Sequence, residues 1–199
     1  MDPTRRLPEH VRSESSFFPD GRVGILQRGR VSQGEANVKA VAEALVRHLG
    51  TGYSWASRDG LENGTDFYLS NPDGCRREVQ VVRAVDRTFC AALGRHPTQE
   101  VQQVSLREDT VKTVARAISA KTRRTPSQDR AQRILAVDVL ETDFSVFWAT
   151  GTLHPRWWDK AHQWVNRRHW YAVYVVGARK FWPFMSSSVT ACGVASCRP

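Results

Sequence analysis

The sequence predicts an α/β fold, a mixed central sheet flanked by helices and built in the order α-β-β-β-α-β. Three observations predict it. Two long stretches, around residues 32–50 and 106–124, repeat apolar side chains at helical spacing. Short runs rich in β-branched and aromatic residues lie between them, bounded by turn residues. Two nearly all-apolar runs, "RILAVDVLE" and "YAVYVVGA", follow the second helix. Strands of that kind suit the centre of a sheet covered on both sides.

In chain order, residues 1–20 read as a polar, proline-punctuated tail, or a short helix ending in a loop. "GRVGILQRG" is a short strand or an extended lead-in. "SQGEANVKAVAEALVRHLG" is a helix, with Ser32 as cap, Glu35 completing a capping box and Gly50 as terminator. Its apolar face is Val38, Ala42, Leu45, Val46 and Leu49. "YSWAS" and "TDFYLS" are strands joined by the turn-rich "RDGLENG", and "NPDG" turns the chain into a third strand, "RREVQVVRA". "VDRTFCAALG" reads as a short helix and "RHPTQEVQQ" as a loop. The second helix, "LREDTVKTVARAISAKTRR", directs Val111, Val114, Ala115 and Ile118 inward. "HPRWWDKAHQWVNRRHW" is a helix or loop, "YAVYVVGA" the last buried strand, and the rest a small, polar tail.

The 199 residues suit one domain, placed at 21–183 between an N-terminal tail (1–20) and a C-terminal tail (184–199). At 41% hydrophobic, the chain can bury a core. Its formal net charge is +9, and only five of its 29 basic residues are lysine. Such a surface favours polyanions, although arginine richness also follows from a GC-rich genome. No run approaches the roughly 20 apolar residues of a membrane helix, and the N-terminus lacks the apolar stretch of a signal peptide. A cytoplasmic location is therefore expected. Cys75, Cys90, Cys192 and Cys197 lack paired C-x-x-C spacing, which argues against a zinc site and for structural or free thiols.

The polar residues of the first helix and the strands raise the question of function. Glu35 is placed by periodicity on the inward side of the helix. Asp66 begins the second strand. Glu78 and Gln80, two apart on the third, point to one side. Convergence of the three acids and the amide would suit a hard divalent cation, which wants a few carboxylate oxygens together with water and substrate phosphate. Each residue also has a plain reading. Glu35 can complete a capping box, Asp66 can serve a turn, and Glu78 and Gln80 can face solvent from a half-exposed strand.

Glu35 on the helix, Asp66 on the second strand and "EVQ" at 78–80 on the third resemble the P-D-(D/E)-x-K phosphodiesterase superfamily. The resemblance spans roughly residues 31–177 and implies a restriction-endonuclease-like core. It also implies a nuclease dependent on Mg²⁺ or Mn²⁺ that hydrolyses phosphodiester bonds of nucleic acid, DNA first. Asp66 and Glu78 would hold the metal, supported by Glu35 directly or through water. Gln80 would stand at the position of the family's lysine. Glutamine brings no charge there, so Lys121, on the second helix, is the candidate for a migrated lysine. Lys121 can equally be an ordinary surface residue. If neither serves, the chain would be a catalytically inactive relative that binds nucleic acid or protein.

Arg116, Arg123, Arg124, Arg130 and Arg133 are candidates to track a phosphate backbone, or simply a solvated face. Trp157, Trp158, Trp164 or Trp170 could stack on bases, although tryptophan more often packs a core. His154, His162 and His169 are not spaced as a metal pair on one helix. Ser186–Ser188 lacks a nucleophile elbow, and no phosphate-binding glycine loop is present. No membrane partner is expected, and a homodimer or partner subunit is left open.

Overall fold

The computed structural model describes residues 12–18, 22–28, 34–58, 64–85, 91–92, 95, 101–140, 169–177 and 181–185. The fold is α/β. Its larger sheet has six strands: β3 (Ser54–Ser57), β4 (Phe67–Ser70), β5 (Arg76–Arg83), β7 (Ile134–Asp138), β8 (Ala172–Val176) and β9 (Phe181–Met185), side by side in that order. The pairs β3–β4 and β4–β5 are antiparallel, β5–β7 and β7–β8 parallel, and β8–β9 antiparallel. Helix α1 (Glu35–Leu49) precedes β3; helix α2 (Arg107–Arg124) and the single turn α3 (Ser127–Arg130) lead into β7. A second sheet of three antiparallel strands has the order β1 (Arg12–Phe17), β2 (Arg22–Arg28), β6 (Val101–Leu106).

Two helices cover opposite faces of the larger sheet. Val41, Ala42, Ala44 and Leu45 of α1 are fully buried against Phe67, Leu69, Val79, Ile134, Ala136, Ala172, Tyr174 and Val176. These strand positions alternate along β4, β5, β7 and β8 and so share one face. Burial of Val41 and Leu45 contributes roughly 1.5–3 kcal/mol each. Gln80, next to Val79, points the other way and meets Thr125 at the end of α2. Val114 and Ile118 of α2 are buried, and α2 lies against β5 and β7. All five residues of β7 and all five of β8 are buried, as expected for central strands covered on both sides.

A buried ion pair ties the layers together. Arg83 and Asp138, the last residues of β5 and β7, are partners in the parallel register. Arg83 Nε donates to Asp138 Oδ2 at 2.7 Å, and the other carboxylate oxygen accepts the Leu140 amide at 2.9 Å. Arg83 also donates to the side-chain oxygen of Asn37 on α1. Asp138 is 1% exposed, so this network satisfies a charge that would otherwise be costly to bury.

Most expected elements are present, and four differ. Residues 12–17, expected in a tail or short helix, form β1 and pair with β2. Residues 101–106, expected as loop and helix start, form β6. An edge strand gains its stability from the ladder rather than from an alternating apolar face, so its pattern is weak. Past β8, expected to be the last strand, β9 extends the sheet into the start of the expected C-terminal tail. At the start of α1 the cap is Gly34, with no side-chain capping bond, and Glu35 is the first helical residue. Ser32 lies outside the described residues, as does most of "VDRTFCAALG".

The turn at "NPDG" forms as expected. Asn71 N–H donates to Cys75 O, Gly74 N–H to Asn71 O, and Cys75 N–H to Asn71 Oδ1. Cys75 is disulfide-bonded, so it is no free thiol.

Candidate functional site

Glu78 lies on the same face of the sheet as Gln80, the face against which α2 packs. Thr65 Oγ1 donates to Glu78 Oε2 at 2.8 Å, and Arg133 Nε donates to the same oxygen at 2.5 Å. Arg133 occupies this place because of strand pairing. Val79 pairs with Ile134, so the residue just before β7 falls beside the residue just before Val79. Arg133 Nη1 also reaches Asp129 Oδ2 on α3 at 3.2 Å. The guanidinium thus joins two carboxylates. Glu78's side chain is 38% exposed and Arg133's 16%, so the pair stabilises the fold by only about 1 kcal/mol.

Gln80 lies beneath this pair. It is 2% exposed, and its Oε1 accepts the Thr125 hydroxyl at 3.1 Å. Gly64 covers its amide end. A Cβ at Gly64 would stand 2.8 Å from Gln80 Nε2, and the glycine's φ is +87°. The turn before β4 therefore needs glycine both for its left-handed backbone and for the close approach. Gln80 is held by protein groups and covered by protein.

Asp66 performs a backbone task. Its own N–H donates to Val79 O, and its Oδ2 accepts the Val81 amide at 2.6 Å. The carboxylate stands in for a ladder partner where β4 begins. Glu35 is exposed in the first turn of α1, and so is not inward; an acid there suits the helix dipole. α1 packs on the face of the sheet opposite Gln80, which separates Glu35 from Glu78. Periodicity misplaced Glu35 because the helix begins at this residue, and the buried position in the first turn is Asn37. Among the described residues, no three His, Cys, Asp or Glu side chains form a group able to hold a metal ion. The residues present therefore do not fit a metal centre built on Glu35, Asp66 and Glu78.

Lys121 is half-buried one turn before Thr125, whose N–H and hydroxyl both donate to the Lys121 carbonyl. Of the arginines expected on a phosphate backbone, Arg116, Arg123 and Arg124 are exposed on α2. Arg130 instead caps that helix. Its Nη1 donates to Thr122 O at 2.8 Å and Thr125 O at 2.7 Å, satisfying carbonyls at the helix end. Arg133 is committed to Glu78 and Asp129. Trp170 is 1% exposed and donates its indole N–H to Thr122 Oγ1, so it packs a core rather than stacking on a base. Trp157, Trp158, Trp164, His154, His162 and Ser186–Ser188 lie outside the described residues.

Thr65, Thr125, Asp129 and Gly64 complete the site and were not singled out from sequence. Thr65 adjoins Asp66, and that adjacency is the one signal in the chain. The others are brought in by register and by the packing of α2. Among the described residues no helix is long and apolar enough to cross a membrane. Comparison of the chain with protein-family models, curated proteins and solved structures finds no match.

Proposed function

We propose that the chain is a nucleic-acid-binding module on a restriction-endonuclease-like frame, with an inactive carboxylate site. The observation that carries this reading is Arg133 seated on Glu78 at 2.5 Å. A guanidinium takes the place beside the carboxylate that a divalent cation needs. The frame is supported by the order of elements: α1, the antiparallel β3, β4 and β5, then α2 and the parallel strand β7. Nucleic acid is favoured as partner, DNA first, by the net charge of +9 and by the exposed Arg116, Arg123 and Arg124 on one helix. Phosphate contacts of this kind give affinity without sequence preference.

The second reading is a Mg²⁺- or Mn²⁺-dependent nuclease. One observation favours it. Asp66 and Glu78 lie on adjoining strands, and each carboxylate leaves one oxygen without a protein donor among the described residues. Fluorescence anisotropy with labelled DNA and RNA, alongside nicking of supercoiled plasmid with Mg²⁺, Mn²⁺ or chelator, separates the readings. Binding unaffected by chelator and no cleavage is the expected result. Metal-dependent cleavage lost in Glu78→Ala would establish the nuclease instead.

A cytoplasmic location remains part of the proposal from the sequence. The disulfide at Cys75 weighs the other way, because cytosolic thiols are kept reduced.

A further inference from the structure

We infer that Arg76, lying over the Tyr68 ring, is a phosphate anchor of the face that carries Glu78; the inference rests on the nucleic-acid reading above. Tyr68 and Glu78 are cross-strand partners in β4 and β5, and Arg76 is two residues before Glu78 on the same strand. Alternation puts all three on one side of the sheet. The Arg76 guanidinium carbon sits 3.6 Å from the centroid of the Tyr68 ring. The ring is nearly buried, at 9% exposure, while Arg76 is exposed.

This arrangement has a chemical consequence. The ring covers one flat side of the guanidinium and limits its rotation. The N–H donors lie in the guanidinium plane, so stacking leaves the donating edge open. Among the described residues Arg76 has no carboxylate partner, whereas Arg83 pairs with Asp138 and Arg133 with Glu78 and Asp129. An ordered, unpaired fork on a basic protein matches the two oxygens of a backbone phosphate. Arg77, next in sequence, points to the other face and lies over Tyr171 at 4.1 Å, where it is half-buried. The hairpin thus presents one exposed guanidinium on the Glu78 side.

The test is fluorescence anisotropy of the full chain with one labelled oligonucleotide, as single strand and as duplex, over a salt series. Arg76→Ala should weaken binding and flatten the slope of log affinity against log salt by about 0.9 on the duplex and about 0.7 on the single strand. Arg76→Lys should keep the slope but bind more weakly, because charge remains and the stacked fork is lost. Tyr68→Phe should bind as wild type, and Tyr68→Leu more weakly at an unchanged slope, with folding checked by circular dichroism. An Arg76→Ala protein with wild-type affinity and slope overturns the anchor; if Arg123→Ala/Arg124→Ala is still weakened, the nucleic-acid reading stands. A wild-type chain that binds neither form overturns both.

Discussion

Arg133 donates to Glu78 across the parallel pairing of β5 and β7, one residue before β7 begins, at 2.5 Å. The acid that resembles a metal ligand therefore already has a cation, supplied by the neighbouring strand. Removing that cation should expose the carboxylate. Arg133→Gln is expected to cost about 1 kcal/mol of stability in urea denaturation and to raise affinity for Mn²⁺ or Tb³⁺, read by calorimetry or lanthanide luminescence. Unchanged metal affinity would mean that the guanidinium is not what blocks the site.

Gln80→Lys tests the buried amide. A lysine there would place a charge at a site 2% exposed, beneath Gly64 and against Thr125. A loss of several kcal/mol is expected, and Gly64→Ala should lose about 1–2 kcal/mol through its left-handed backbone. A Gln80→Lys protein as stable as wild type would show that the site opens to solvent.

Asp138→Ala should be among the most damaging single changes. It leaves Arg83 without its carboxylate at the junction of β5, β7 and α1. The expected loss is about 3 kcal/mol. Asp138→Asn should lose less, because an amide oxygen can still accept from Arg83 and from the Leu140 amide. Equal losses for both variants would assign the whole effect to the carboxylate's charge, because asparagine keeps the volume and the acceptor oxygen.

Alkaline unfolding should report Tyr174. Burial, then the neighbouring Tyr53 and Tyr171, push its phenol from 10.0 up to about 12. The unfolded chain sheds this proton first. The contribution is therefore complete below pH 10 and is lost as pH rises toward 12, by about 1.4 kcal/mol per unit. Tyr174→Phe should flatten the decline in stability over that window, measured by denaturant unfolding at fixed pH values. A decline of the same steepness would place the titration elsewhere.

Nucleic-acid binding should fall steeply with salt. Arg123→Ala/Arg124→Ala is expected to weaken all sequences alike and to reduce the salt slope by up to about 1.8, two phosphates at about 0.9 each. An unchanged slope would remove the end of α2 from the contact.

The sequence by itself determined the two helices, the hairpin through "NPDG" and the central strands, because each has a strong local cause. Ala42 and Leu45 in α1, and Val114 and Ile118 in α2, repeat at helical spacing, Asn71 and Gly74 make a turn, and "ILAVD" is apolar up to its last residue. It also determined that Glu78 and Gln80 share a face, which follows from strand periodicity alone. Only the tertiary structure decided what that face meets. Arg133 is 55 residues from Glu78 in the chain, and Thr125 is 45 from Gln80. Their contacts arise from the register of β5 on β7 and the seating of α2, neither of which leaves a local pattern. β6 was hidden for a related reason, because its ladder partner β2 lies far back in the chain; β1 and β9 pair with the strand next to them in sequence, but "RSESSF" and "FWPFM" show no regular alternation of apolar and polar residues. Glu35 shows the converse. Its spacing matched the buried stripe, but the helix begins at that residue, where Glu35 is exposed and Asn37 is the buried side chain of the first turn.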